Sequence, residues 1–352
     1  LDFTYYKTDS RNQILKLATT AASGYTSQVR NAGHIRNRGY EIQLGAVPIQ
    51  TSKGFRWNLD LNYGANSSKV VKLDDEGLIT SYQLYSSGIQ ILASVGEAYG
   101  TLFGTSYVRD ANGNVVVDAN GLPKISTTNK TLGKFTPDWT GGISNTFSYR
   151  SLSLSFLIDA SVGGSIFSNT NKTGKYTGVL ANTLSGRDAE HGGLWYYTDA
   201  MGNNVRLSES PSYSVSSDGL YYAQVNGQST RVYQDGIMVE GVTESGSKNE
   251  EVVSAEKYYH RIYSIAEANV YDASYVKLRE VALSYRLPRL WTQKLHLQEA
   301  SVTLTGRNLW TIYKSVPNID PESALTTGNA QGVEAYSLPT TRSFGVNLSV
   351  KF

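Results

Sequence analysis

Ser343-Phe344-Gly345-Val346-Asn347-Leu348-Ser349-Val350-Lys351-Phe352 is the stretch that decides the fold. Every second residue is apolar, and the residues between are Ser, Gly, Asn, Ser and Lys. A period of two puts one apolar and one polar face on an extended strand. Working outward, the same alternation runs through 151–163, with Leu152, Leu154, Phe156, Ile158, Ala160 and Val162 against Ser151, Ser153, Ser155, Asp159 and Ser161. It returns at 55–64 (Trp57, Leu59, Leu61, Tyr63) and at 138–150 (Trp139, Ile143, Phe147, Tyr149). Weaker members are 1–7, 39–49, 273–287 and 299–310, which makes eight predicted strands.

A soluble sandwich would alternate in the same way, so other features must identify the solvent. These strands reach about 10–13 residues, against a usual five or six. Twelve residues at ~3.3 Å each and ~45° tilt rise roughly 28 Å, the height of the apolar band of an outer-membrane barrel. Trp57, Trp139, Tyr149, Tyr285, Trp310 and Phe352 stand near strand ends, where interfacial aromatic girdles lie. The composition agrees, with 33 Gly, 25 Tyr and much Ser, Thr and Asn. There is no apolar run long enough for a transmembrane helix. The opening Leu1-Asp2-Phe3-Thr4-Tyr5-Tyr6 has neither a basic region nor an apolar core of the secretory kind.

Composition also closes off chemistry. With no cysteine, disulfide scaffolds, thiolate metal sites and cysteine nucleophiles are excluded. Lys plus Arg is 32 against Asp plus Glu at 30, so a net charge of +2 gives no electrostatic footprint for nucleic acid. No two of the four histidines have metal-ligand spacing, and no nucleophile elbow, phosphate loop or His-Glu-x-x-His motif occurs. No catalysis, no metal and no cofactor are expected.

The connections fall into two alternating classes. Gln50 to Gly54, Arg150-Ser151 and Pro288 to Gln298 are short, whereas 9–38, 67–137, 164–272 and 312–340 are long. Short turns on one side and long loops on the other are the asymmetry of an outer-membrane barrel, periplasmic turns against extracellular loops. Residue 1 already lies in a strand, and the inward residues are small and polar, suited to a wide lumen. The chain therefore reads as the C-terminal portion of a larger all-β transmembrane antiparallel barrel.

Several blocks, taken in order, resemble the C-terminal half of the SusC/RagA-type TonB-linked outer-membrane transporters of Bacteroidetes. They are Asn31-Ala32-Gly33-His34-Ile35-Arg36-Asn37-Arg38-Gly39-Tyr40-Glu41, Phe55 to Tyr63, Leu132-Gly133, Pro137 to Gly142 and Asn145 to Tyr149. Next come Asp272 to Val281, Leu287-Pro288, Gly306-Arg307-Asn308-Leu309, Asp320-Pro321-Glu322 and Pro339 to Gly345. The resemblance implies a 22-stranded barrel closed by a plug, a SusD-like surface lipoprotein as lid, and energy from TonB-ExbB-ExbD through the missing N-terminal part. Relative to the family, the signal, TonB box, plug and N-terminal strands are absent. Outer-membrane lipids and the barrel assembly machinery are implied partners. The implied substrate is an oligosaccharide, with an oligopeptide as the alternative. A passive porin or adhesin barrel, and a soluble sugar-binding protein or glycosidase domain, are the rivals from other classes.

Each candidate residue has a bland reading beside the sharp one. Trp195-Tyr196-Tyr197, Tyr221-Tyr222 and Tyr258-Tyr259 cluster in the longest loop. Flat aromatic faces suit sugar rings, and Tyr adds a polar edge, so these are candidate substrate contacts. The favoured bland reading is that they staple so long a loop to itself or to the lid. Asp320-Pro321-Glu322 reads as a loop brace before an acidic pair. Arg307, after a Gly that signals a bulge or close approach, is set against a lumen carboxylate, and Asp159 faces the lumen as well. Lys277 and Arg279, on one face with Tyr275 and Val281, are placed above the membrane near lipopolysaccharide or the rim, ahead of a register bulge. Asp110-Ala111-Asn112-Gly113-Asn114 begins like a calcium loop but has Val115 at the sixth position and Gly121 at the twelfth. Asn112-Gly113 and Asn120-Gly121 are instead hairpin turns. Phe352 is both a girdle residue and, by the resemblance, the terminal aromatic read by the assembly machinery.

Overall fold

The computed structural model describes residues 1–18, 27–294 and 296–352. Eight strands lie side by side in chain order, every neighbouring pair antiparallel. They are β1 (Asp2–Ala18), β2 (Ser27–Gln50), β3 (Phe55–Lys72) and β4 (Trp139–Tyr149). β5 (Leu152–Val162), β6 (Tyr275–Arg286), β7 (Glu299–Lys314) and β8 (Ser343–Lys351) complete the sheet.

The register turns eight separate alternations into one continuous face. Leu348 stands opposite Val302, Val302 opposite Tyr285, Tyr285 opposite Leu152, Leu152 opposite Tyr149, and Tyr149 opposite Phe55. The adjacent row is polar, passing from Asn347 through Thr303, Ser284, Ser153 and Ser148 to Arg56. Hydroxyls bond along that row, Thr303 to Ser284 at 2.9 Å and Ser148 with Ser153 at 3.0 Å. One polar side chain, Asn145, falls on the apolar face. It is buried there and accepts the Trp57 indole N–H at 3.0 Å, while the Trp57 ring stacks on Phe147.

A soluble sandwich would cover this apolar face with a second sheet. Here Leu304 in an interior strand is 52% exposed and Phe344 is 80% exposed. The buried core lies elsewhere, in the long connections. Ile91, Leu102, Phe167 and Val333 are completely buried in one cluster, bringing together 67–137, 164–272 and 312–340. The long loops are therefore one packed layer over one end of the sheet, held by their own hydrophobic burial.

The strand limits depart from those read in the sequence. β1 continues to Ala18 and β2 starts at Ser27, so most of the expected loop 9–38 is a paired two-stranded arm. β3 continues to Lys72 and β7 to Lys314. Periodicity marks only where a strand alternates; backbone pairing goes on past that band through residues without alternation, among them Ile14-Leu15 and Val70-Val71. The loops also carry strands of their own. Residues 81–134 hold a four-stranded sheet, and residues 194–254 hold a six-stranded one. Asn112-Gly113 and Asn120-Gly121 are the predicted tight turns, with Gly113 and Gly121 at positive φ and the preceding Asp110 and Asp118 side chains capping the turn amides.

Candidate ligand cleft on the loop side

Helix α1 (Asn169–Thr177) begins where Ser168 Oγ accepts the Asn171 amide at 3.0 Å, and it ends at Gly178, which takes the left-handed conformation. The Glu334 carboxylate, fully buried, sits at this N-terminus. It accepts the hydroxyls of Ser168 and Thr170, both at 2.6 Å, and the Ser337 amide at 3.1 Å. The positive end of the helix and these donors hold a carboxylate that has no cation partner among the described residues. The same contacts bind 312–340 to 164–272, since Phe167-Ser168 pairs in parallel with Val333-Glu334.

At its other end α1 presents Lys175, 9% exposed. Its ammonium donates to the Ala268 carbonyl at 2.8 Å and to Asn269 Oδ1 at 3.2 Å, and lies 5.3 Å from the centre of the Tyr271 ring. The Asn269 amide nitrogen donates in turn to the carbonyls of Ile262 and Ile265, past the end of helix α2 (Ala255–Tyr263). Burial lowers the Lys175 ammonium to about 8, so it remains mostly charged at neutral pH.

Between these helices and the neighbouring sheet opens a cleft of about 810 Å³ whose walls include Tyr107, Lys175, Asn182, Glu240, Tyr258 and Tyr259. Tyr259 is engaged, its hydroxyl lying 3.2 and 3.0 Å from the carbonyls of Asn182 and Ser185. The hydroxyls of Tyr107 and Tyr258 have no protein partner among the described residues, and burial pushes both above the ordinary phenol value. The buried Tyr271 hydroxyl also lacks a partner, and burial pushes it up to about 12. These phenols stay protonated throughout the physiological range.

The aromatic residues singled out in the sequence divide between two places. Tyr258 and Tyr259 line the cleft. Trp195 is buried on Ala223 and Val232, with Tyr197 and Tyr221 packed around it. Tyr221 meets the indole edge-on at 5.8 Å, and Tyr213 lies 5.1 Å away. Tyr196 is buried on the opposite side of its strand, stacked on Tyr233 at 5.0 Å and donating to Asp235 at 3.2 Å. Tyr222 is half-buried in the next hairpin, opposite Ser214 and Arg231. Trp195 and Tyr196 are 7% and 4% exposed, and their ring contacts are to Tyr213, Tyr221 and Tyr233 of the same sheet. Tyr107, Lys175, Asn182 and Glu240 were not legible in the sequence, because nothing local brings 107, 175, 182 and 240 to one cavity.

A second polar group gathers at the loop end of β6. Lys277 Nζ lies 2.6 Å from Asp320 Oδ1 and 2.5 Å from Glu322 Oε2. Arg279 reaches Asp159 Oδ2 at 2.7 Å and also bonds Glu322, which accepts the Tyr275 hydroxyl at 2.9 Å. Asp320-Pro321-Glu322 thus braces its loop to the barrel wall. The expected placement of Lys277 and Arg279 near lipopolysaccharide or the rim gives way to its alternative, a register bulge: both turn to the polar face at the loop end of β6. The register of β6 shifts between Leu278 and Glu280 against both neighbours, so Arg279 is an extra residue in the strand. After this bulge Val281, opposite Phe156 and Gly306, is on the apolar face rather than with Lys277. Arg307 is on the polar face, its Nε 2.8 Å from Glu280 Oε2. Gly306 is where a side chain would collide with Leu309. Phe352 follows β8 and is exposed.

No family model matches the chain. Along its whole length it is 26% identical to TonB-dependent receptor P3 of Formosa agariphila and 24% identical to TonB-dependent receptor P26 of the same organism, covering 32% of each. The solved RagAB peptide transporter superposes with a TM-score of 0.60 at 19% identity, over 99% of this chain and 33% of that one. The RagAB peptide importer in its open-open state gives 0.60 at 17% identity, over 99% and 32%. The chain spans about a third of the length of these proteins, and the structural likeness is one of fold.

Proposed function

We propose, taking the chain as a barrel segment of a SusC/RagA-type TonB-dependent receptor in the outer membrane, that the complete protein actively imports oligosaccharides. The observation that carries this reading is the eight-strand apolar face left open for lipid, joined to a thick folded layer of loops at one end. A porin needs no such layer. The tyrosine- and amide-lined cleft in it suits sugar rings, with flat faces for apolar C–H groups and hydroxyls for polar edges. An oligopeptide substrate is the second reading, favoured by the solved neighbours named as peptide importers. Energy would come from TonB-ExbB-ExbD acting on parts of the protein beyond this chain, and a SusD-like lipoprotein would close over the loop layer.

Uptake of labelled oligosaccharides and oligopeptides by cells carrying the complete protein tests the proposal. Oligosaccharide uptake should stop when a protonophore collapses the proton gradient. Uptake that ignores the protonophore would mark a passive pore, and energised uptake of peptides alone would select the second reading. The orientation is tested separately. An epitope beside Gly227, at an exposed turn of the loop layer, should label on intact cells, and one at Ser52, in the short turn between β2 and β3, should not. The reverse pattern would overturn the topology.

A further inference from the structure

Two lysines of this protein are almost equally buried and are treated in opposite ways. Lys277 is 3% exposed and has two carboxylates within 2.6 Å. Lys175 is 9% exposed and has none; its two acceptors are a carbonyl and an amide oxygen, both neutral. An ammonium carries three N–H donors, so one of them is unclaimed by the described residues. A buried charge without a counter-charge is costly, and the third donor is the place where an anion would offset that cost. Lys175 is one of the residues that line the cleft. Tyr107 and Tyr258 line it too, their hydroxyls without protein partners, and nearby the partnerless Tyr271 hydroxyl is sealed from water.

We propose that the cleft is a carboxylate-binding subsite, in which the Lys175 ammonium and the Tyr107 and Tyr258 hydroxyls receive an acidic group of the incoming oligomer. The group is a planar carboxylate, from a uronic acid residue of a glycan or from the C-terminus of a peptide. Both present two acceptor oxygens, and protonated phenols donate without adding negative charge. Glu240 is exposed and lines the same cleft, a like charge that such a ligand meets there. Low polarity around the ammonium strengthens its attraction for an anion that displaces water. The inference rests on the import reading for the source of the ligand, while the binding itself is measurable without transport.

The test is calorimetry on the complete detergent-solubilised protein with four probes. They are tetragalacturonate, neutral galactotetraose, tetra-alanine, and tetra-alanine amidated at its C-terminus. The parent should bind tetragalacturonate or free tetra-alanine, and should lose roughly tenfold or more for the uncharged counterpart. The probe that shows this difference identifies the source of the carboxylate. Lys175→Met should remove the discrimination, and Lys175→Arg should retain most of it. Lys175 also ties the two helix ends, so Tyr258→Phe serves as a variant that removes one hydroxyl and no helix contact. It should weaken the charged probe several-fold at unchanged thermal stability. Equal binding of charged and neutral probes by the parent, or no binding of any probe, overturns the proposal. So does a Lys175→Met protein that still discriminates. If discrimination holds and uptake into cells fails, the import reading falls and the subsite stands; the converse result separates them in the other direction.

Discussion

Replacing Lys277 by Met is expected to detach the segment from Ser315 to Thr340 from the barrel wall. The Lys277 side chain is inaccessible, and its ammonium is the cation shared by Asp320 and Glu322. Asp320 also accepts the Thr340 hydroxyl at 2.5 Å, so one buried carboxylate clamps both ends of the segment. Burial alone would push the Asp320 carboxyl up, but the hydrogen bonds from Lys277 and Thr340 overcome it and hold the group below the usual range. Glu322 is lowered in the same way by Arg279 and Lys277 against its burial. Without Lys277 the carboxylate of Asp320 stays buried and uncompensated, a loss of about 3–5 kcal/mol. The segment should become open to protease and the detergent-solubilised protein should melt earlier. Lys277→Met combined with Asp320→Leu should recover much of the loss, because the lone charge is then gone. The sign with pH follows from both carboxyls being lowered in the folded state. Their contribution is complete above about pH 5 and is lost as pH falls from the ordinary carboxylate range through the lowered folded-state values. A Lys277→Met protein whose segment resists protease like the parent would refute the brace.

The second large effect belongs to the pair Trp195→Ala and Tyr197→Ala. Trp195 is the centre of the small cluster that holds the sheet of residues 194–237 together. Truncating a buried Trp costs about 3–5 kcal/mol, more than an autonomous surface sheet of this size can spare. Proteolysis should therefore cut within 194–237 while the eight-stranded sheet keeps its heat-modifiable mobility in gels, because the two cores share no residue of this cluster. Association with a surface lipoprotein should weaken along with it. Direct substrate contact predicts a different result, namely weaker ligand binding with protease resistance and lipoprotein association unchanged. A double variant that binds, associates and resists protease like the parent would contradict stapling and contact alike.

The sheet was legible because membrane strands must satisfy two local demands at once, backbone pairing and opposite faces for opposite solvents. Ser343–Phe352 and 151–163 display that demand residue by residue, and the structure puts both in the predicted sheet. The short turns at Gln50–Gly54 and Arg150-Ser151 fixed the meander, since two such strands joined closely can only pair with each other. Strand ends were less legible: the arm beyond Asp9 keeps its pairing although its sequence no longer alternates, and a lost period reads as loop. Asn145 breaks the period, and its partner, the Trp57 indole, stands 88 residues away.

The sequence by itself therefore determined that eight strands form one antiparallel sheet, which face of the regularly alternating ones is apolar, and the side on which the long connections gather. It also carried the resemblance to TonB-linked transporters, through motifs spread along the chain. Only the tertiary structure decided how the loops use their residues. A single extra residue at Arg279 turned two cations from the apolar face of the sheet to a carboxylate cluster on its polar face. Packing buried Trp195 and Tyr196, and left Tyr258 and Lys175 in the wall of a cleft. The reason is one of range. Alternation is a property of neighbours along the chain. The partner of a buried lysine, or its lack of one, is settled by segments up to some hundred residues apart that meet only when the loops fold.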